Sequence, residues 1–164
     1  IPRYEKQLKE QRPFGVWVGG WRSSPNFISP AFFDRFVWPY LYEYTMLAIR
    51  YGAVPTFHLD GNWDFAMEYF KEFPPRSCIM SLDGMTDIRH ARAVLGDHMC
   101  LMGDVPASMF AFGTADEVYA YTQKLIADVG PDTGFIACSG CDIPPNAKYE
   151  NVKAMVQATA DFRA

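Results

Sequence analysis

The chain has 164 residues, of which 49% are hydrophobic and 21% charged, and a formal net charge of −4. That length suits one domain with a real core, and the acidic balance without a basic cluster argues against a nucleic-acid partner. No apolar run reaches the roughly 18–20 residues of a membrane span, and four cysteines in or beside apolar strands do not make a disulfide scaffold, so no membrane partner and a reducing cytoplasm are expected.

The first twelve residues carry Arg3, Glu5, Lys6, Lys9, Glu10 and Arg12 behind a leading Ile1. They read as a helix or connector continuing from upstream, which suggests a piece of a longer protein. Residues 14–18 read as a strand ending at Gly19-Gly20. Ser29-Pro30 then looks like an N-cap followed by proline at the first helical position. Phe33, Phe36, Val37, Tyr40, Leu41, Tyr44 and Leu47 follow at helical spacing, with Pro39 set to kink or break that helix. Gly52 ends it. Residues 53–57 form the next predicted strand, and residues 63–73 the next helix.

The alternation continues with a strand over 77–82, a helix over 86–95 stopped by Gly96, and a strand over 99–102 that ends at Gly103-Asp104. Thr114-Ala-Asp-Glu117 is a capping box, in which the Thr hydroxyl and the Glu carboxylate each satisfy an orphan backbone N–H. The helix it opens carries Val118, Tyr121, Leu125 and Val129 on one face. Residues 134–138 are the last predicted strand and 149–162 the last helix.

Apolar strands alternating with amphipathic helices predict an α/β fold, with a parallel sheet covered on both sides. Two closures fit this pattern, an open doubly wound sheet or part of an eight-fold barrel. No glycine-rich dinucleotide fingerprint follows any strand. Polar groups recur at several strand ends (Gly19-Gly20, His58/Asp60, Ser81/Asp83, Asp104, Ser139/Cys141) rather than at one switch point. Barrels build active sites from several strand ends, so the expected fold is parallel (β/α) units forming the C-terminal part of a TIM-type (β/α)8 barrel, with residues 1–164 as one domain.

The strongest chemical signal joins two distant segments, Phe57-His58-Leu59-Asp60-Gly61 and Cys138-Ser-Gly-Cys141-Asp-Ile-Pro-Pro145. Each follows a strand, so each delivers metal-capable groups to the same end of a parallel sheet. An imidazole, a carboxylate and a thiolate meeting there make an incomplete zinc shell with room for a substrate. His58 and Asp60 stand two residues apart, on one side of an extended chain. Asp60 equally fits as a cap for the helix that follows. Cys138 and Cys141 form a C-x-x-C, but a redox pair normally opens a helix, and here two prolines intervene. Cys78, Cys100 and Cys138 read as buried strand residues. Asp83 and Asp104 are candidates for acid–base catalysis, substrate binding or helix capping. Ser81 and Trp21 are candidate substrate-binding residues, Trp21 with Arg22 lining a pocket for a large planar or anionic ligand.

Asn26-Phe-Ile-Ser-Pro-Ala-Phe-Phe33 with Pro39-Tyr40, Leu101-Met-Gly-Asp-Val-Pro106, Gly113-Thr-Ala-Asp-Glu-Val118, and Ser139-Gly-Cys-Asp-Ile-Pro-Pro145 with Glu150-Asn-Val152 occur in this order along the chain. Together they resemble the C-terminal signatures of the uroporphyrinogen decarboxylase superfamily. The resemblance implies a (β/α)8 barrel of which this chain is roughly the C-terminal half. It also implies one of two chemistries. The metal-free porphyrinogen decarboxylases carry a functional histidine where this chain has Cys141, and their anion-binding and catalytic aspartate motifs lie in the N-terminal half. The zinc-dependent corrinoid methyltransferases carry H-x-C followed much later by a Cys. His58 and Cys141 match the ends of that motif, and Asp60 replaces its middle Cys with another legitimate zinc ligand.

The expected function is therefore zinc-dependent methyl transfer from a methylcorrinoid, carried by a corrinoid protein, to a small thiol substrate. Decarboxylation of a porphyrinogen and a non-catalytic docking half-barrel are the alternatives. The N-terminal half of the barrel or a second chain is the expected structural partner, because an unclosed sheet exposes its edges.

Overall fold

A computed structural model describes residues 1–20, 22–24, 26–130 and 134–162. Its strands are β1 (Gly15–Gly19), β2 (Val54–Leu59), β3 (Ile79–Leu82), β4 (Cys100–Val105) and β5 (Phe135–Ser139). They form one parallel sheet in the order β1-β2-β3-β4-β5. That order decides between the two closures. A doubly wound sheet reverses direction at a switch point. Strands that add always on the same side, through right-handed crossovers, put every helix on one face, as in a barrel wall.

The helices are α1 (Pro2–Gln11), α2 (Pro30–Phe36), α3 (Trp38–Arg50), α4 (Ile88–Leu95), α5 (Ala107–Phe112), α6 (Ala115–Val129) and α7 (Tyr149–Asp161), with a 3-10 helix at Asp64–Glu72. Ser29 caps α2 by accepting a hydrogen bond from the Phe32 amide. The expected break comes at Val37, so that Pro39 lies in the first turn of α3, where its missing N–H costs nothing. Both arms of the Thr114–Glu117 capping box are present. Two elements differ from expectation. Residues 64–72 wind as a 3-10 helix because Met67, Phe70 and Phe73, all buried, recur at a strict spacing of three. Residues 107–112 form α5, which carries no sequence cap and draws its C-terminal partners from α7.

Among the described residues the sheet is covered by helices on one face. Phe57, Leu59, Met80, Leu82, Leu101 and Val105 are fully buried against the helix layer. On the opposite face, among the described residues, Trp17 is 62% and Ile136 42% exposed. The expectation of two covered faces came from reading the strands as apolar throughout; a barrel interior is equally apolar when its sheet is closed.

A cluster of aromatic rings packs against β2 through Phe57. Phe57 meets Phe70 at 5.1 Å and 75°, Trp38 meets Phe70 at 5.6 Å and 78°, and Phe33 meets Trp63 at 5.8 Å and 77°. Edge-to-face pairs of this kind contribute about 0.5–1.5 kcal/mol each beyond their buried area. They anchor the strand that carries His58.

Candidate metal centre

Phe57 and Leu59 point into the core, so the strand pleat turns His58, between them, to the uncovered face. The register places Gly19, His58, Ser81, Met102 and Ile136 in one row across that face. Two neighbours hold the imidazole. Ser81 Oγ lies 3.2 Å from Nδ1, and the Trp17 ring lies 5.1 Å away, tilted by 32°. His58 Nε2 remains to face outward.

Asp60 sits just beyond β2 in a loop braced from both sides. Gly61 has φ +88°, and a Cβ there would fall 2.6 Å from Ser24 Oγ and 2.7 Å from Asn26 Oδ1, so only glycine fits. Its amide donates to Asp83 Oδ2 at 2.8 Å, and its carbonyl accepts from Thr86 Oγ1 at 3.1 Å. The Asn62 amide donates to Asn26 Oδ1 at 2.7 Å, and Trp63 Nε1 donates to the Asp60 carbonyl at 2.9 Å. The N-cap of the following 3-10 helix is Trp63, without a side-chain cap, and neither Asp60 nor Asn62 takes that role; Asn62 Oδ1 accepts from the Asp64 amide at 3.0 Å, closing a turn just before the helix.

Cys141 arrives from β5. Three strand spacings, about 14 Å on a flat sheet, separate β5 from β2. The turn 139–141 crosses the strand ends to close that distance. The Gly140 amide donates to the Val105 carbonyl at 2.9 Å, and a Cβ on Gly140 would lie 3.0 Å from the Asp83 carbonyl oxygen. This close backbone approach lays the turn over the end of β3.

His58, Asp60 and Cys141 consequently meet with one donor atom each, all within 4.8 Å of one another. Nε2 lies 3.5 Å from Asp60 Oδ1 and 3.9 Å from Cys141 Sγ. A tetrahedral zinc, with bonds of about 2.0–2.3 Å, separates its donors by roughly 3.3–3.6 Å. The nitrogen, oxygen and sulfur set is one zinc accepts, and small movements would bring it to bonding geometry. Three protein ligands leave a fourth position free, as catalytic zinc sites do.

The other candidates lie outside this group. Asp83 spends both oxygens on backbone amides, Gly61 through Oδ2 and Met85 through Oδ1, each at 2.8 Å. Asp104 does not follow β4 as expected but belongs to it. It is 4% exposed and accepts a hydrogen bond of 3.0 Å from Tyr121 of α6. Burial raises its carboxyl above the usual range, against the lowering effect of Tyr121. Burial, and after it the charge of Asp104, pushes the Tyr121 phenol up to about 12. Ser81 touches His58, as described. Trp21 lies outside the described residues, and Arg22 is exposed.

All four cysteines are free. Burial pushes the thiols of Cys78 and Cys138 up to about 11, which leaves both protonated at neutral pH. Cys100 and Cys138 are half-buried rather than buried, and Cys141 is exposed. Sequence reasoning missed Trp17, Asn26 and Thr86. For Trp17 the signal was available, because Val16 and Val18 alternate with it as inward positions of β1. Among the described residues no helix is long and apolar enough to cross a membrane.

A family model described as uroporphyrinogen decarboxylase (URO-D) matches residues 8–162. The chain is 27% identical over 151 residues to a uroporphyrinogen decarboxylase of Thermus thermophilus, covering 92% of this chain and 41% of that protein. It is 35% identical over 78 residues to a uroporphyrinogen decarboxylase of Thioalkalivibrio sulfidiphilus, covering 47% of this chain and 22% of that protein. A solved methyltransferase from Methanosarcina mazei superposes with a TM-score of 0.78 and 22% identity, over 99% of this chain and 46% of that one. The chain thus spans less than half the length of these relatives, and at that identity the structural likeness concerns the fold.

Proposed function

This chain belongs to the uroporphyrinogen decarboxylase family, and from that premise we propose that it provides the zinc site of a methyltransferase that moves a methyl group from a methylcorrinoid to a thiol. One observation carries the reading: His58, Asp60 and Cys141, far apart in the chain, converge within 4.8 Å at the C-terminal ends of parallel strands. Barrel enzymes place their chemistry at that end. The methyltransferase fold of the Methanosarcina mazei protein supports the same reading.

Under this proposal His58 Nε2, Asp60 Oδ1 and Cys141 Sγ hold the ion. Zinc supplies the positive charge that favours a thiolate at neutral pH. Ser81 and Trp17 fix the imidazole plane, and the Asp83 carboxylate keeps the loop of Asp60 in place. A methylcorrinoid would supply the methyl group and keep the cobalt–carbon electron pair, and a thiol positioned beside His58, Asp60 and Cys141 would supply the pair that bonds the methyl carbon. The thiol proton passes to solvent. Cys141 is exposed at the C-terminal ends of the strands, the end from which a corrinoid carried by a partner protein would approach.

Metal analysis of the purified protein tests the proposal. About one zinc per chain is expected, falling in Cys141→Ala together with methyl transfer. Full zinc and full activity in that variant would sink it. The decarboxylase names of the relatives favour a second reading, decarboxylation of a porphyrinogen-like substrate. That reading predicts turnover of such a substrate by metal-free protein.

A further inference from the structure

Ser81 is 2% exposed and stands directly across from His58 in the parallel register of β2 and β3. Its neighbours Met80 and Leu82 are both fully buried in the helix-facing core. Ser81 therefore faces the same side as His58, with its hydroxyl oxygen 3.2 Å from Nδ1. A strand interior offers a serine few reasons to be buried, and here its hydroxyl meets the imidazole nitrogen that points away from Asp60 and Cys141.

A neutral imidazole carries its proton on one nitrogen and a lone pair on the other. With the Asp60 carboxylate 3.5 Å and the Cys141 sulfur 3.9 Å from Nε2, both able to accept, the favoured arrangement without a cation has N–H on Nε2. Nδ1 then needs a donor. When Nε2 gives its lone pair to a cation, the proton must sit on Nδ1, which then needs an acceptor. A carbonyl or carboxylate serves only the second arrangement. A hydroxyl serves both, because it donates or accepts by rotating about its C–O bond.

We propose that Ser81 is the positioning residue of the metal site, a reversible partner that donates to Nδ1 of His58 in the metal-free protein and accepts from Nδ1–H when Nε2 binds a metal ion. This rests on the metal-site reading above. Ser81 is accordingly assigned to the support of His58 rather than to substrate binding. Removing a partner behind a metal-binding histidine typically lowers metal affinity about 10- to 100-fold.

The test uses the purified protein with zinc alone as the probe. Zinc affinity is measured by competition with a chromophoric chelator for wild type, Ser81→Ala, Ser81→Thr and His58→Ala. The ring nitrogens of His58 are followed by 15N NMR without and with zinc. Expected are a proton moving from Nε2 to Nδ1 on zinc binding in wild type, a 10- to 100-fold loss of affinity in Ser81→Ala, and near-wild-type affinity in Ser81→Thr, which keeps the hydroxyl. Loss of zinc in His58→Ala with unchanged affinity in Ser81→Ala would overturn this inference alone. So would weaker binding in Ser81→Ala with His58 signals identical to wild type. Undiminished affinity in His58→Ala would overturn the metal-site reading itself, and this inference with it.

Discussion

At the scale of single residues, Asp60 and Asp104 show how position decides what a carboxylate does. The Asp60 side chain is 38% exposed beside His58. Asp60→Ala should reduce zinc content, and Asp60→Cys should restore it with tighter binding, since thiolate is the softer ligand; chelator competition reads both. Asp104 is buried against Tyr121 and its carboxyl is raised. The folded protein thus holds that proton more tightly than the unfolded chain. Stability should fall as pH rises from the ordinary value of 3.8 through the raised folded value. Asp104→Asn should remove that decline, raising the melting temperature at neutral pH by roughly a few degrees, with the gain vanishing in acid. Thermal melts across pH check the sign. The three metal-capable residues were legible in the sequence because each follows an apolar run. The bracing of their loops by Asn26, Thr86 and Gly140 was not, since it depends on contacts between segments that only the assembled sheet brings together.

At the scale of elements, local signals fixed most boundaries. Ser29-Pro30, Pro39 and the Thr114–Glu117 box each act within one helical turn, and each is found where its chemistry requires. α5 has no such signal. Its last turn is instead held from α7, where Asn151, 1% exposed, donates to the carbonyls of Met109, Phe110 and Gly113 at 3.0–3.1 Å. A six-residue helix capped by a side chain 38 or more positions away cannot be read from its own sequence. Asn151→Ala removes these bonds while each carbonyl keeps a second donor, the Gly113 amide for Met109, the Lys148 amide for Phe110 and Lys148 Nζ for Gly113, so it should cost about 0.5–1.5 kcal/mol, measured by denaturant unfolding.

At the scale of the whole molecule, the sheet's five parallel strands do not close into a ring among the described residues. β1 and β5 are its edge strands, and the face opposite the helices exposes Trp17 and Ile136. Unpaired edges and open apolar faces drive association. Gel filtration over a range of concentrations should show the chain growing beyond a monomer, and Ile136→Lys should shift it back towards one. A single sharp monomer peak at every concentration would contradict this.

The convergence of His58 and Cys141 spans 83 positions of sequence. An ion held between them would act as a clasp, joining the second strand to the turn after the fifth. Unfolding would have to release the ion, so the fold would gain about 2.7 kcal/mol when free zinc stands a hundredfold above its dissociation constant. A chelator should then lower the melting temperature of the wild-type protein and leave that of Cys141→Ala where it was. The same three side chains would set both how the molecule reacts and how firmly its two ends stay together.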